Sequence, residues 1–142
     1  MPGLVDHFRG RIQQDKEQGW TPFLVAASAG TTALGVVDPL QELAEICRLQ
    51  GLWLHIDAAY GGFFMLTELG RQQMKGMEQA DSITLDPHKG LFLPYGTGCI
   101  LVRNRQRLKS AHSVHSAYLP PAQEDPECWD FAELGPELSR DY

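Results

Sequence analysis

The sequence lacks the features that mark membrane, secreted and metal-binding proteins. None of its apolar runs approaches the ~20 residues of a membrane-spanning helix. Its N-terminus has no basic segment followed by an apolar one, so no signal peptide is predicted. The three cysteines, Cys47, Cys99 and Cys128, are far apart and form neither a CxxC pair nor a metal-ligand pattern. We therefore expect a soluble, cytoplasmic protein with reduced thiols and no metal site. Cys47 and Cys99 lie in apolar runs and are expected in the core.

Basic residues are scarce relative to acidic ones. The chain has 12 lysines and arginines against 18 aspartates and glutamates, which gives a formal net charge of −6 at pH 7. Its one basic cluster, between Arg103 and Lys109, is typical of a solvated helix face. Because nucleic acids and anionic membranes repel a net acidic protein, we expect neither as a partner.

The spacing of apolar residues predicts alternating helices and strands. The near-continuous apolar run of residues 22–27 favours a strand covered on both faces. Asp38-Pro39 predicts an N-cap followed by proline at the first helical position. In order, we predict a helix over 5–18, a strand over 22–27, a helix from 38 to 51, a strand over 52–56, a helix within 68–79, strands over 81–85 and 99–103, and a short helix beyond 107.

Two predicted strands end in residues that can carry chemistry. One is followed by Asp57-Ala58-Ala59-Tyr60-Gly61-Gly62 and the next by Asp86-Pro87-His88-Lys89-Gly90. In a parallel α/β sheet the carboxyl ends of the strands open into the ligand crevice, so Asp57 and Lys89 are expected to face one pocket. An amine that can form an imine, with an acid placed to pair with a ring nitrogen, is the arrangement that a pyridoxal phosphate enzyme needs.

From about Thr21 to Arg103 the chain resembles the pyridoxal-phosphate-dependent group II amino acid decarboxylases. The matching motifs are Ala29-Gly30-Thr31-Thr32-Ala33-Leu34-Gly35, Asp38-Pro39-Leu40, His55-Ile56-Asp57-Ala58-Ala59-Tyr60-Gly61-Gly62, and the segment from Asp81-Ser82 to His88-Lys89. Each motif alone is weak, whereas all four in this order are specific. Aminotransferases and cysteine desulfurases of the same fold also pair an aspartate with a later lysine. The residues after Asp57 and those before Lys89 resemble the decarboxylases more closely.

The resemblance implies an α/β fold: a fold type I, PLP-transferase-like large domain with a mainly parallel sheet and helices on both faces, present here in part. Residues 1–142 would form part of one cofactor-binding large domain. Residues 1–20 would be a helix entering it, 21–110 the core with the cofactor motifs, and 111–142 a loop-rich continuation. The chain is much shorter than the family, so we interpret it as a fragment of an enzyme that is a homodimer when full length.

The resemblance also implies roles for five residues. Lys89 would bind pyridoxal 5'-phosphate covalently, Asp57 would pair with its pyridine nitrogen, and His88 would lie against it. These three are the expected catalytic residues. Ala59 would contact the cofactor face, and the Thr32 hydroxyl would bond Asp57 or a ring substituent. A structural role stays open for each of these residues. The alternatives are a surface lysine for Lys89, a turn aspartate for Asp57, a loop-orienting histidine for His88, plain packing for Ala59 and a hydrogen bond within its own turn for Thr32. For His55, on the same strand face as Asp57, a structural role is favoured.

The implied activity is decarboxylation of a small-molecule L-amino acid to an amine and carbon dioxide. One alternative is another lyase or a desulfurase of fold type I. A second alternative is a truncated product that neither folds nor binds cofactor alone. Formation of an amine from an L-amino acid would favour the first interpretation over both alternatives.

Overall fold

The computed structural model describes residues 3–112 and 134–135. The elements of these residues are α1 (Leu4–Glu17), β1 (Leu24–Ser28), α2 (Leu40–Gln50), β2 (Trp53–Asp57), a 3-10 helix (Gly62–Leu66), α3 (Glu68–Gln73), a second 3-10 helix (Met77–Gln79), β3 (Ser82–Leu85), α4 (Pro87–Gly90), β4 (Cys99–Val102) and α5 (Arg105–His112). No helix in this part of the chain is long and apolar enough to cross a membrane. Most of the predicted loop-rich continuation, with Cys128, lies outside the described residues.

The chain divides into two compact units, Met1–Leu101 and Val102–Tyr142. The first unit contains α1 to α4, β1 to β3, β4 up to Leu101 and all five expected site residues. Of the second unit, the structure describes residues 102–112, which include α5, and residues 134–135. The candidate site therefore belongs to the first unit.

The four strands form one sheet in the order β1-β2-β3-β4. Strands β1 and β2 pair in parallel, as do β2 and β3. Asp57, the last residue of β2, lies opposite Ser28 of β1 and Thr84 of β3. The carboxyl ends of three strands thus meet at one edge, which confirms the prediction of parallel neighbours for the strands that precede Asp57 and Lys89.

The core lies between one face of the sheet and α2. Helix α2 places its apolar positions on one side and ends at Gly51, which adopts the left-handed conformation that glycine tolerates best. The buried residues of β1 and β2 alternate with more exposed ones, as a strand with one packed face requires. The central side chains of this core are Val25, Ala27, Leu40, Leu43, Ile46, Cys47, Leu54 and Ile56.

Two predictions about burial are wrong. Strand β1 is covered on one face only, because α2 packs on that side while Leu24 remains 45% exposed. Cys99 is exposed at the start of β4, although Cys47 is buried as expected. An apolar run in a sequence indicates a strand but does not establish that both of its faces are covered.

The predicted N-cap at Asp38 is also wrong. Helix α2 begins at Leu40, with Pro39 at the N-cap. The Asp38 carboxylate instead accepts a hydrogen bond from the backbone N–H of Ser28 at 2.7 Å, and the Asp38 N–H donates to the Ser28 carbonyl at 2.9 Å. Because these bonds satisfy the end of the edge strand β1, they tie the turn that carries Thr32 to the sheet.

A close backbone contact joins the loops that follow β1 and β2. A Cβ atom added at Gly61 would lie 2.2 Å from the Ala29 carbonyl oxygen, and one added at Gly30 would lie 2.7 Å from the Gly61 Cα. Gly30 also has a φ of 88°, which side-chain-bearing residues rarely adopt. Glycine at both positions therefore allows the Thr32 turn to approach the loop after Asp57.

We predict that Gly61→Ala lowers the free energy of unfolding by roughly 1–3 kcal/mol, because the new methyl group must displace backbone rather than a flexible side chain. The matched control is Gly10→Ala, at an exposed position in α1 where a Cβ meets nothing within 4 Å. That substitution should raise stability by roughly 0.5–1 kcal/mol. Urea unfolding measures both. Equal stability of Gly61→Ala and the unsubstituted protein would contradict the tight contact.

Candidate active site

Asp57 presents a carboxylate at the end of β2. Its Oδ1 accepts a hydrogen bond from the backbone N–H of Ala59 at 3.1 Å, and its backbone carbonyl accepts one from Ala29 at 2.8 Å. Within the described part of the chain, the second carboxylate oxygen has no hydrogen bond, and the residue is exposed. Asp57 is therefore held in orientation while one oxygen remains able to bind a ligand.

Lys89 lies in the short helix α4, close to the acid that precedes this helix. Its Nζ is 2.7 Å from Oδ2 of Asp86, whose side chain is 18% exposed against 39% for Lys89. The pKa of Lys89 is raised above its ordinary value, first by the hydrogen bond to Asp86 and then by the charges of Asp86, Asp57 and Tyr95, while burial opposes the shift. The amine is thus held in its protonated form.

The loops after β2 and β3, which carry the residues following Asp57 and preceding Lys89, are bonded to each other. The Ala58 N–H donates to the Thr84 carbonyl at 3.1 Å, and the Asp86 N–H donates to the Ala59 carbonyl at 3.3 Å. These bonds continue the pairing of β2 and β3 into the loops that follow them. The charge of Asp57 contributes to the raised pKa of Lys89, which is consistent with one shared site.

His88 is oriented by the loop before β4. Its Nδ1 contacts the Thr97 carbonyl oxygen at 2.5 Å, and its ring lies 4.9 Å from that of Tyr95 between centroids. A carbonyl oxygen only accepts, so Nδ1 carries the hydrogen. In the neutral ring, Nε2 is then unprotonated, and it lies 3.9 Å from Oδ2 of Asp86. The loop contact fixes the tautomer and directs the second nitrogen toward the Asp86 and Lys89 pair.

Thr32 and Ala59 lie on the loops that follow β1 and β2. Thr32 is exposed in the turn after β1, and among the described residues its hydroxyl forms no hydrogen bond, so the bond considered to Asp57 is absent here. The hydroxyl that stabilises this turn is that of Thr31, which accepts from the Val36 N–H at 3.1 Å. Ala59 is half-buried and donates its N–H to Asp57.

His55 belongs to a polar network that crosses from β2 to β3. Its Nδ1 is 2.8 Å from the Ser82 hydroxyl and its Nε2 is 3.3 Å from the Thr84 hydroxyl. The indole N–H of Trp53 donates to the same Ser82 oxygen at 2.8 Å. Both ring nitrogens of His55 are engaged, as expected for a structural histidine.

The sequence interpretation did not select Ser82, Thr84 or Asp86. Alternation along β3 places Ser82 and Thr84 on one face, opposite His55 and Asp57 in the parallel register, and this period-two pattern could have identified them. Asp86 precedes Lys89 by three residues, the separation at which side chains meet on a helical turn. Because the segment was predicted as a loop, that contact was missed.

Residues 3–140 match the pyridoxal-dependent decarboxylase conserved domain. The chain belongs to this family. It is 42% identical over 139 residues to the aromatic-L-amino-acid decarboxylase of Bacillus atrophaeus, an alignment that covers 97% of this chain and 29% of the relative. It is 41% identical over 136 residues to the L-aspartate decarboxylase dtxS4 of Metarhizium robertsii, over 96% of this chain and 27% of the relative. The chain thus spans less than a third of the length of these curated relatives.

Solved structures of pyridoxal-dependent decarboxylases share the fold of this chain. Oryza sativa TDC with PLP and tryptamine matches with a TM-score of 0.87 and 30% identity, over 96% of this chain and 28% of that one. Apo mouse CSAD matches with a TM-score of 0.75 and 34% identity, over 92% of this chain and 26% of that one. The predicted fold type I architecture and the predicted family cofactor, pyridoxal phosphate, are both confirmed.

The hydrogen bonds that Trp53 and His55 form with Ser82 predict that loss of the Ser82 hydroxyl destabilises the fold. Ser82→Ala should lower the free energy of unfolding by roughly 1–3 kcal/mol, because Trp53 and His55 both lose a partner at a position that is only 5% exposed. Ser110→Ala is the control, since that exposed hydroxyl bonds the Gln106 carbonyl of its own helix, and it should change stability by less than about 0.5 kcal/mol. Urea unfolding measures the free energy of unfolding of both variants. Equal losses in the two variants would show that the hydrogen bonds to Ser82 do not stabilise the fold.

Proposed function

We propose that this chain provides the cofactor-binding core of a pyridoxal-phosphate-dependent decarboxylase that converts an L-amino acid into an amine and carbon dioxide. The observation that carries the proposal is the position of an acid and an amine after neighbouring parallel strands, at Asp57 and Lys89. Membership of the pyridoxal-dependent decarboxylase family supports the assignment of the reaction.

The side chains at these strand ends fit pyridoxal phosphate. The Asp57 carboxylate has an oxygen available for the N–H of a protonated pyridine, and the Lys89 amine is exposed and able to reach an aldehyde. Ala59 is half-buried and adds little bulk beside the acid, so a flat ring can approach the backbone there. When bound, pyridoxal phosphate accepts the electron pair released by loss of the substrate carboxylate.

In this proposal Asp57 keeps a proton on the pyridine nitrogen. Its ionised carboxylate stabilises a positive charge there, since an opposite charge within hydrogen-bond distance favours the charged form of its partner. The Ala59 N–H bond fixes the carboxylate, so the proton is held at a defined position. Electron withdrawal toward that nitrogen is the contribution of this residue to the rate.

Lys89 would hold the cofactor in the site through its side-chain amine. His88, whose Nδ1 is bonded to the Thr97 carbonyl, directs its Nε2 toward Asp86, the acid that contacts Lys89. Ala59 and Thr32 would contact the cofactor from the loops after β2 and β1. These five residues form the proposed cofactor and catalytic set.

The named relatives act on aromatic amino acids and on aspartate, so we propose an L-amino acid as the substrate class. Residues 1–142 would form part of one large cofactor-binding domain. On the family resemblance we further propose that the full-length protein is a cytoplasmic homodimer. Analysis of products from L-amino acids tests the reaction: release of carbon dioxide with the amine supports decarboxylation, whereas an oxo acid or a transferred sulfur would support another fold type I reaction.

We predict that Lys89→Ala abolishes the adduct trapped by borohydride after addition of pyridoxal phosphate, because the amine that forms the reducible bond is gone. Lys75→Ala is the control and should leave the adduct at its original level. Peptide mapping by mass spectrometry locates the modified residue. An adduct at Lys75 or Lys109 in the unsubstituted protein would overturn the assignment.

Asp57→Asn should retain most of the cofactor binding and lose roughly 10²-fold or more in kcat, because the shape is preserved while the pyridine nitrogen loses its counter-ion. The control is Asp15→Asn, which removes a half-buried carboxylate that pairs with Arg11 in α1 and should leave kcat unchanged. Absorbance of the bound cofactor and steady-state kinetics give the two readouts. Unchanged kcat in Asp57→Asn would show that Asp57 does not support the reaction.

A further inference from the structure

We propose that Asp86 is a positioning residue that holds the Lys89 amine as an unreactive ammonium ion until an aldehyde enters the site. This inference rests on the proposed covalent role of Lys89. It adds a residue to which the family motif gave no role, and it assigns the control of amine reactivity to a single carboxylate.

The geometry favours Asp86 as the partner of the resting amine. Lys89 Nζ lies 2.7 Å from Asp86 Oδ2, and within the described chain this is the ion pair that Lys89 forms. The two residues are three apart, with Asp86 at the N-cap of α4 and Lys89 inside it. The Lys89 backbone N–H also donates to the Asp86 carbonyl at 2.9 Å, so the turn itself maintains the side-chain contact.

Asp86 is fixed more firmly than the lysine that it binds. Its N–H bonds the Ala59 carbonyl at 3.3 Å, and its carbonyl accepts the backbone N–H of Lys89 at 2.9 Å. Its side chain is half as exposed as that of Lys89. The long lysine side chain can therefore leave the carboxylate and turn toward a ligand, while the acid remains in position.

The other groups near the amine act in the same direction or are neutral. The charge of Asp57 from β2 also raises the pKa of Lys89, with a smaller effect than the hydrogen bond to Asp86, and the Tyr95 phenol in the loop before β4 is the other titratable side chain that faces the amine. His88 approaches Asp86 Oδ2 at 3.9 Å, so it shares the same carboxylate. The 3-10 helix Gly62–Leu66, which packs on α4, carries no ionisable side chain.

The chemical step shows why this contact matters. The ammonium ion of Lys89 gives one proton to solvent, and the neutral amine then attacks the aldehyde carbon. One C=N bond forms and one water molecule leaves, with no change of oxidation state. Because only the neutral amine attacks, a carboxylate that favours the ammonium form slows capture at neutral pH. Removing that charge should accelerate capture and shift its pH profile toward lower pH.

The test uses the whole protein freed of bound aldehyde with hydroxylamine, and compares the unsubstituted protein with Asp86→Asn. The titration of the Lys89 amine is followed by the NMR shift of its side-chain carbon, and the signal is assigned by its loss in Lys89→Ala. We expect this amine to titrate at lower pH in Asp86→Asn than in the unsubstituted protein. The rate of capture, followed by absorbance after mixing with pyridoxal phosphate, should rise roughly threefold at neutral pH, as expected for loss of an exposed ion pair. Glu42→Gln, an exposed change of the same charge on α2, should alter neither readout.

Pyridoxal without its phosphate provides the decisive comparison. The same acceleration with pyridoxal supports control at the Lys89 amine, whereas an acceleration confined to pyridoxal phosphate would mean that Asp86 acts on the phosphate, which overturns the inference. Unchanged Lys89 titration and capture in Asp86→Asn would also overturn it while leaving the proposed function intact. Capture at another lysine in the unsubstituted protein would instead refute the proposed function.

Discussion

The parallel register between β2 and β3 is the constraint on which the candidate site depends. It sets Asp57 beside Thr84, and from there the chain needs only a few residues to bring Lys89 to the same edge of the sheet. A shift of one residue in β2 would turn Asp57 toward the face packed by α2, because successive side chains point to opposite faces. Burial of Leu54 and Ile56 on that face opposes such a shift. The apolar core and the position of the carboxylate are therefore consequences of the same pairing.

The two faces of this sheet are stabilised by different interactions. The face against α2 gains stability by removing apolar side chains from water. The other face carries Trp53, His55, Ser82 and Thr84, whose polar atoms bond one another between the strands. Buried polar groups need such partners, and here the partners lie at positions that the register dictates. The network holds the two strands together directly beneath the residues that would bind cofactor.

The features that follow from local sequence were predictable, and those that follow from tertiary contact were not. Apolar runs and glycine positions located the strands, and the motifs at their ends indicated the family. Asp38 was misassigned because its carboxylate bonds Ser28 of the edge strand instead of capping α2. Cys99 and both faces of β1 were wrongly expected to be buried. An apolar residue in a sequence does not reveal whether another element packs on it.

The environment of Lys89 illustrates this difference most clearly. Burial and nearby positive charge both favour the neutral amine that forms an imine. The structure surrounds the amine with acids instead, and the nearest of them is supplied by the turn that carries the lysine itself. Asp57 must be ionised if it is to stabilise a protonated pyridine. The site therefore contains negative charge of its own, at Asp57 as well as at Asp86. These acids favour the ammonium form of Lys89, whereas only the neutral amine attacks a carbonyl carbon. The reactivity of Lys89 therefore depends on how far its side chain moves from them.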